Sequence, residues 1–175
     1  SDIARLLILP ATANLATKEK EITTPLTSMI GQELERPIVL VPILRAGLGF
    51  SEPFLQMLPE ATVAHYGMWR NEESLQPEVY LERIPDHIAD SEVFVLDPML
   101  ATGGSAKAAI NGLKERGAKH LHFVCLVASP EGLKSLKESH ADVNITCAAI
   151  DEGLDQQGYI VPGLGDAGDR IFGTL

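Results

Sequence analysis

The sequence is poor in cysteine and in long apolar runs, and each shortage excludes a class of protein. Two of its 175 residues are cysteines, Cys125 and Cys147, and neither has a cysteine or histidine at metal-ligand spacing. Both lie in apolar runs, so we expect buried reduced thiols, rather than a disulfide, a metal pair or a nucleophile, in a reducing cytoplasm. The longest leading apolar run, residues 6–9, is too short for a signal peptide core or a membrane span.

Positive charge is also scarce. Lysine and arginine total 14 against 24 aspartates and glutamates, which gives a formal net charge of −10. Proteins that bind nucleic acid normally carry a basic patch or stripe, so this charge argues against such a partner. A small anionic ligand stays compatible, because a few arginines and backbone amides can bind it. With 45% hydrophobic residues the chain can form one core, and we expect a single domain over residues 1–175.

The most informative stretch is residues 93–110, where a short apolar strand leads into a helix through a glycine-rich loop. Residues 93–96 read Val-Phe-Val-Leu, which is typical of a central parallel strand buried on both faces. Pro98 ends this strand because it cannot donate to a sheet ladder, and the pattern predicts a helix that opens at 102–105 and ends at Gly117. Strands and helices alternate along the chain, which indicates an α/β fold with a parallel sheet.

The predicted strand, loop and helix start suit a phosphate group. The free N–H groups of a helix N-terminus converge on one spot, and the helix dipole favours an anion there. Gly103 and Gly104 let the backbone approach phosphate oxygens closely, and the hydroxyls of Thr102 and Ser105 add donors. Asp97, at the strand end, is placed to meet sugar hydroxyls or a divalent metal. This acid weakens the alternative in which Thr102 is only an N-cap and the glycines only a turn.

Four blocks of sequence carry a resemblance to a known family. The familiar motifs G-x-x-x-x-G-K-[ST] and G-x-G-x-x-G are absent, whereas an apolar strand, an acid and Ala-Thr-Gly-Gly-Ser resemble the phosphoribosyl diphosphate loop of type I phosphoribosyltransferases. Blocks at 42–47, 68–73, 97–105 and 158–170 occur in the order found in the uracil phosphoribosyltransferase family. They read Pro-Ile-Leu-Arg-Ala-Gly, Met-Trp-Arg-Asn-Glu-Glu, Asp-Pro-Met-Leu-Ala-Thr-Gly-Gly-Ser and Gly-Tyr-Ile-Val-Pro-Gly-Leu-Gly-Asp-Ala-Gly-Asp-Arg.

The resemblance covers the chain from about residue 15 to its C-terminus and implies the type I phosphoribosyltransferase fold. This fold has a central, mostly parallel sheet flanked by helices, a β-hairpin hood and a C-terminal base-binding loop segment. The family carries an additional N-terminal segment, so the chain resembles a member that lacks its first element, which bears on oligomer contacts more than on the motif residues. A homodimer or higher homo-oligomer is also implied, as is GTP binding, while activation by GTP is left open.

Arg45 follows a second predicted buried strand, residues 38–44, whose end should lie beside the end of the 93–96 strand. Such an arginine can merely snorkel to the surface. Gly47 and Gly49 favour a ligand role instead, because they allow an unusual backbone and a close approach. A guanidinium at this edge can fork onto a phosphate, and the resemblance implies that Arg45 meets the diphosphate from a loop with a strained peptide bond.

Two further predicted strands, residues 62–69 and 78–84, flank a charged tip that contains Arg70. A charged hairpin tip is usually solvated surface. The resemblance implies instead a mobile hood that closes over the bound diphosphate and excludes water, with Arg70 adding positive charge.

The segment from residue 151 onward is rich in glycine, so it is either a disordered tail or a loop folded against the rest of the chain. Its apolar residues favour packing over the sheet edge. Exposed N–H and C=O groups of such a loop can read the edge of a planar pyrimidine. By resemblance, Ile160 and Gly165 to Ala167 contact uracil, with Asp166 also close to the ribosyl diphosphate.

The implied reaction joins uracil to phosphoribosyl diphosphate and yields uridine monophosphate and diphosphate. A carbon loses an anionic leaving group through an oxocarbenium-like state, so positioning and charge stabilisation should dominate. Pro98 stands where the wider superfamily has a second acid, so Mg²⁺ should arrive with the substrate and not through side-chain ligands. The residues implied in catalysis are Arg45, Arg70, Asp97 and Asp166. Those implied in binding phosphoribosyl diphosphate are Arg45, Arg70, Asp97, Pro98, Met99, Leu100, Ala101, Thr102, Gly103, Gly104, Ser105 and Asp166.

Two other functions compete with this enzyme. A nucleotide-sensing, RNA-binding regulator on the same scaffold is disfavoured by the net charge of −10. A noncatalytic nucleotide-binding domain is disfavoured by the combination of Arg45, Arg70 and Asp166. The histidines are interpreted as structural or surface residues, although His120 and His122 alternate on one strand face and leave a weak metal alternative.

Overall fold

The computed structural model describes residues 2–70 and 77–174, without the side chains of Arg70 and Pro77. Five α-helices lie in this part of the chain: α1 Asp2–Thr12, α2 Leu48–Met57, α3 Gly104–Glu115, α4 Pro130–Ser139 and α5 Ala167–Phe172. The strands there are β1 Thr17–Thr23, β2 Ser28–Leu34, β3 Ile38–Leu44, β4 Thr62–Val63, β5 His65–Arg70, β6 Pro77–Arg83, β7 Glu92–Leu96, β8 Met99–Leu100, β9 His120–Ala128, β10 Asn144–Ile150, β11 Gly153–Leu154 and β12 Ile160–Val161. A 3₁₀ turn, Asp86–Asp90, precedes β7. Among these helices, none has the length and apolar character needed to cross a membrane.

Eight strands form the main sheet, in the order β10-β9-β7-β3-β5-β6, with β4 beside β3 and β8 beside β9. Every pairing in this sheet is parallel except that of β5 with β6. The predicted α/β fold with a mostly parallel central sheet is therefore confirmed.

The two central strands, β3 and β7, are buried on both faces, as their continuous apolar sequences predict. Their alternate side chains enter two different cores. Val41 and Val95 belong to the core that contains α3 and α4, whereas Leu40 and Phe94 belong to the core that contains α1 and α2. The strands pair in register up to Pro42 opposite Leu96, so their carboxyl ends lie side by side, as predicted.

The N-terminal hairpin joins β1 and β2 in antiparallel pairing. The residues directly after Thr24 do not extend a strand, because β2 begins at Ser28. Pro25 and Leu26 form the turn instead, because the Thr24 hydroxyl accepts hydrogen bonds from the backbone N–H groups of Leu26 and Thr27 at 3.2 and 3.1 Å. The predicted strand over 62–69 is likewise divided at Ala64 into β4 and β5.

Two features of the C-terminal segment were not predicted. The strands β11 and β12 pair with each other, and α5 forms one and a half turns. Asp166 caps α5 by accepting a hydrogen bond from the Asp169 N–H at 2.8 Å, and Gly173 ends it in the left-handed conformation at φ +67°. We predicted that the apolar residues of this segment pack over the sheet edge. Ile160 is buried as predicted, whereas Ile171 and Phe172 are nearly half exposed.

The cysteines and one histidine have partners that sequence spacing does not reveal. Cys125 is buried, Cys147 is half-buried, both are free, and they lie opposite each other on β9 and β10. A hydrogen bond from the Cys125 thiol lowers the pKa of Cys147 to about 6. His122 Nε2 lies 2.8 Å from Glu92 Oε2. Within residues 2–70 and 77–174 no cluster of three or more histidine, cysteine or acidic side chains is placed to hold a metal, so the metal alternative for His122 has no third ligand there.

Candidate active site

The carboxyl ends of β3 and β7 open onto a cleft of about 200 Å³. Its lining contains Arg45 after β3, Asp97 after β7, Ser105 in the first turn of α3, and Asp166 before α5. Met68 and Trp69 of β5 line it as well. Each of the four sequence blocks therefore contributes to one cleft, although its lining residues are spread along the chain from Ile43 to Gly168.

The start of α3 forms the floor of the predicted phosphate loop. The helix begins at Gly104, and its N-cap is Gly103, at φ +80°, with no side-chain cap. The alternative in which Thr102 is the N-cap is therefore wrong. The Thr102 hydroxyl lies 3.4 Å from the Gly104 nitrogen, which is a long hydrogen bond. Because the first N–H groups of a helix have no intrahelical acceptor, this uncapped end can receive an anion.

Glycine suits positions 103 and 104 of this loop for different structural reasons. A Cβ atom at Gly103 would point at α4, 3.3 Å from the Gly132 carbonyl oxygen and 3.6 Å from Ser135. The predicted reason for Gly103, room for a phosphate, is therefore wrong. Gly103 is needed for its left-handed backbone and for the contact with α4. Gly104 matches the predicted reason better, because a Cβ atom there would lie 3.6 Å from the Thr102 hydroxyl oxygen, with no closer contact to a non-neighbouring residue in the described part of the chain.

Asp97 is a half-buried acid whose pKa is strongly perturbed. Burial, together with the smaller effect of the negative charge of Asp166, raises its pKa to about 7. A hydrogen bond from the Met99 N–H to Asp97 Oδ1, at 3.3 Å, acts in the opposite direction. The carboxyl group of Asp97 is thus poised to ionise near neutral pH, and a cation or a polar ligand in the cleft would favour its charged form.

Arg45 reaches over the cleft and is tied to the C-terminal segment. The Leu44–Arg45 peptide bond is cis, in agreement with the unusual bond expected at this position. The guanidinium forms an ion pair with Asp169 at 2.9 Å and lies over the Phe172 ring, 5.9 Å from its centroid. The sequence did not predict a role for Asp169. The one signal it offered was the position of Asp169 three residues after Asp166. Its pKa is lowered, first by the Thr174 hydroxyl and then by Arg45.

Several other predicted site residues lie beside the cleft without lining it. Pro98 and Leu100 are buried, and the Leu100 side chain lies in the hydrophobic core. The Pro98 carbonyl accepts hydrogen bonds from β9, and the Leu100 carbonyl accepts one from the Ser129 N–H. Met99 and Ala101 are half-buried, and Ile160 is buried. Gly165 and Ala167 flank Asp166 at the start of α5. The C-terminal segment contacts the predicted phosphate loop, because the Cβ position of Gly158 is 3.5 Å from the Thr102 methyl group.

The predicted hood is described only at its base. The strands β5 and β6 pair antiparallel, which confirms the predicted hairpin strands. Their register shifts between Gly67 and Met68. The Arg70 side chain and residues 71–76 lie outside the described part of the chain, so the closure over a ligand stays a prediction.

Comparison with solved structures defines the class of this fold. The chain superposes on a hypoxanthine-guanine phosphoribosyltransferase from Bacillus anthracis with a TM-score of 0.58 and 10% identity, covering 87% of this chain and 78% of that one. At this identity the likeness concerns the fold alone. The chain therefore has the fold of the type I phosphoribosyltransferases, with a mostly parallel sheet flanked by helices.

Closer relatives narrow the class to one family. The sequence model of the family described as uracil phosphoribosyltransferase matches residues 1–174. The chain is 51% identical over 175 residues to "Uracil phosphoribosyltransferase" of Lachnoclostridium phytofermentans, covering 99% of this chain and 84% of that protein. It also superposes on the AQ2163 protein from Aquifex aeolicus with a TM-score of 0.91 and 40% identity, covering 97% of this chain and 82% of that one. The chain belongs to the uracil phosphoribosyltransferase family.

Proposed function

We propose that the cleft transfers the phosphoribosyl group of phosphoribosyl diphosphate to uracil, giving uridine monophosphate and diphosphate. The observation that carries this proposal is the meeting of the four family blocks at one cleft, in a chain half identical to proteins named for this activity. The first experiment is an assay of diphosphate release from phosphoribosyl diphosphate, with each common base supplied separately. Release with uracil supports the proposal, and its absence under conditions in which the folded protein binds phosphoribosyl diphosphate would contradict it.

The start of α3 holds the 5′-phosphate in this proposal. The backbone of Ala101 to Ser105 supplies N–H donors, and the hydroxyls of Thr102 and Ser105 lie on the exposed side of the loop. Asp97, beside this loop, accepts hydrogen bonds from the ribose hydroxyls. The two ends of the ribosyl phosphate are thus fixed by elements of one rigid strand-loop-helix unit, which aligns the reacting carbon.

Arg45 meets the diphosphate on the other side of the cleft. The side chain of Arg45 is half-exposed, and its ion pair with Asp169 lies at the surface. Because a surface ion pair contributes little free energy, a diphosphate can replace the Asp169 carboxylate at a small cost. Mg²⁺ would offset the diphosphate charge. The negative charge of Asp166 helps to raise the pKa of Asp97, so a cation in the cleft would favour ionised Asp97. By family membership, we propose that Mg²⁺ enters bound to the diphosphate, without direct side-chain ligation.

The pKa of Asp97 gives a pH dependence that can be measured. If ionised Asp97 binds the ribose hydroxyls beside a cationic metal, binding needs its deprotonated form, which is depleted below pH 7. Affinity for Mg²⁺-phosphoribosyl diphosphate should then fall by about fivefold as pH drops from 7 to 6, beyond the ligand's own ionisation. Calorimetric titration from pH 5.5 to 8.5 measures this effect.

The matched variant for this pH dependence is Asp97→Asn, which keeps the size of the side chain and cannot ionise. Its affinity should be lower at pH 8 and should follow only the ionisation of the ligand. Parallel pH profiles for the wild-type protein and Asp97→Asn would show that Asp97 does not titrate with binding.

Arg70 is proposed to add charge when the diphosphate leaves. Because this interaction grows in the transition state, Arg70→Ala should lower kcat by about 100-fold and leave uracil binding within a factor of about three. Steady-state kinetics with both substrates varied distinguish the two effects. A variant with full turnover and only a lower Tm would favour the solvated-tip interpretation. Arg83→Ala, at the far end of the same hairpin, is the control and should retain wild-type kcat.

The C-terminal segment is proposed to read uracil. In this proposal Ile160 and residues 165–167 offer backbone N–H and C=O groups of fixed polarity to the base, beside the cleft that Asp166 lines. A backbone reader distinguishes donors from acceptors without a charged side chain. Asp166 has a double role here, because it also caps α5 and thereby fixes the turn that precedes it.

We further propose a homodimer or higher homo-oligomer in the cytoplasm. The hairpin of β1 and β2 supports an assembly, because it exposes Ile22, Leu26, Met29 and Ile30, and every residue of β1 is exposed. Apolar side chains grouped on a protruding hairpin are typical of an interface. GTP binding rests on family membership alone.

A further inference from the structure

The phosphate loop rests on the first turn of α4, which the proposed reaction does not use. Ser129 precedes α4 and is completely buried, so it cannot touch a substrate. Its hydroxyl donates a hydrogen bond to the Ala101 carbonyl at 2.6 Å and accepts one from the Gly132 N–H at 2.8 Å. Its own backbone N–H donates to the Leu100 carbonyl at 2.9 Å. One residue thus caps α4 and holds two successive carbonyl groups of the loop.

Gly132 fits the same loop by shape. A Cβ atom there would overlap the Ala101 carbonyl oxygen and lie 2.6 Å from the Leu100 oxygen, and both of these are backbone atoms. The Gly132 carbonyl oxygen in turn lies 3.3 Å from the Cβ position of Gly103. The loop and the first turn of α4 therefore touch backbone to backbone, at a distance that only glycine permits.

The sheet fixes where this contact falls. Leu100 of β8 pairs with Ala128, the last residue of β9, and α4 begins two residues later. A second tie joins the helices themselves, because Lys107 Nζ of α3 donates to Ser135 Oγ of α4 at 2.9 Å. The position of the loop is thus set from behind by α4, on the side away from the cleft.

We propose that Ser129 and Gly132 are positioning residues that set the geometry of the 5′-phosphate loop. They do so by fixing the Ala101 carbonyl, and hence the direction of the following N–H groups. Loss of the Ser129 hydroxyl leaves the buried Gly132 N–H without its acceptor and frees the Ala101 carbonyl. The loop then samples conformations in which its N–H groups do not converge. The inference rests on the proposed function, because it assigns this loop to phosphoribosyl diphosphate.

The test compares Ser129→Ala and Gly132→Ala with two controls. Ser139→Ala removes another hydroxyl of α4, which bonds to the Ser135 carbonyl at 3.1 Å far from the loop. Gly112→Ala forces a similar overlap, with the Tyr66 hydroxyl, away from α4. Each folded protein is measured for KM of both substrates, for Tm, and for amide hydrogen exchange in peptides covering residues 99–106.

Ser129→Ala should raise KM for phosphoribosyl diphosphate about tenfold and leave KM for uracil, at saturating phosphoribosyl diphosphate, within about twofold. Exchange in residues 99–106 should speed up while the peptides of β3 stay unchanged. Gly132→Ala should show the same pattern with a larger effect, and it carries the test if Ser129→Ala does not fold. Gly112→Ala should lower Tm alone.

The inference is overturned if Ser129→Ala and Gly132→Ala lower Tm as Gly112→Ala does but keep the wild-type KM and exchange pattern, since both residues would then serve only α4. Failure of the proposed function looks different. In that case the wild-type protein itself shows no binding of phosphoribosyl diphosphate, before any variant is compared.

Discussion

Gly47→Ala is expected to lower kcat/KM for phosphoribosyl diphosphate at least 100-fold. A Cβ atom at this position would overlap the Leu96 carbonyl oxygen and lie 2.6 and 2.7 Å from the backbone N and O of Ile43. These atoms belong to the two central strands and cannot yield, so the loop that carries Arg45 must move. A displacement of about 1 Å at a reacting group can cost about 100-fold in rate.

The same overlap should lower the stability of Gly47→Ala by roughly 1 to 3 kcal/mol, as overpacking usually does. Activity and Tm are therefore measured together, at a temperature at which the variant is folded. Gly49→Ala is the matched control two residues along. Its Cβ would meet only Ile171 Cδ1, at 3.1 Å, at the end of a flexible and half-exposed side chain. A folded Gly47→Ala with wild-type activity would show that this loop does not position the diphosphate.

The surroundings of Gly47 in the structure differ from the reason predicted for this glycine. The sequence predicted that Gly47 permits close approach of a ligand, whereas the close approach in the structure is that of the loop to its own sheet. The Gly47 N–H donates to the Ile43 carbonyl at 2.8 Å, which folds the chain back over the end of β3. We therefore expect Gly47 to affect the proposed diphosphate site through the position of the loop that carries Arg45.

Gly103→Val is expected to abolish measurable binding of phosphoribosyl diphosphate. Valine is branched at Cβ and adopts the left-handed backbone of Gly103, at φ +80°, only at a cost of roughly 1 to 3 kcal/mol. Its side chain would also press on the Gly132 carbonyl oxygen. The loop can escape both strains only by leaving the conformation in which its N–H groups converge on the 5′-phosphate.

Calorimetric titration of the folded Gly103→Val variant checks this expectation. Gly104→Ala is the control for stability, because Gly104 begins α3 without a positive φ, and its Cβ would make only an ordinary contact of 3.6 Å with the Thr102 hydroxyl oxygen. Its Tm should stay within about 2 °C of the wild-type value. If Gly103→Val bound phosphoribosyl diphosphate with wild-type affinity, the proposal that this loop binds the 5′-phosphate would be wrong.

The sequence predicted the parts of the fold that follow from burial. The strands β3 and β7 were predicted because a strand covered on both faces has no polar side, and their adjacent ends then placed Arg45 near Asp97. The short elements β11, β12 and α5 were missed, since two paired residues or six helical ones leave no period to detect.

Contacts between distant segments lay beyond the sequence for another reason. The ion pair of Arg45 with Asp169 joins residues 124 positions apart, and nothing local to Asp169 indicates it. Nothing local to Ser129 indicates a contact with the loop, because its bond to Ala101 appears only once β8 and β9 are paired. The resemblance supplied the role of the C-terminal segment, which its composition alone left open between a tail and a packed loop.

The central claim is that this cleft selects uracil, and competition among bases tests it most directly. Uracil presents two carbonyl acceptors and an N–H donor along one edge, whereas cytosine replaces one acceptor with an amino donor. A mispaired buried group costs roughly 1 to 3 kcal/mol, so cytosine should be rejected by at least about tenfold, and purines should be excluded by size. Equal amounts of uracil, cytosine, adenine, guanine and hypoxanthine are mixed with limiting phosphoribosyl diphosphate and Mg²⁺, and the nucleotide products are separated. Uridine monophosphate should dominate; a purine nucleotide as the main product would contradict the uracil assignment while leaving the phosphoribosyltransferase fold intact.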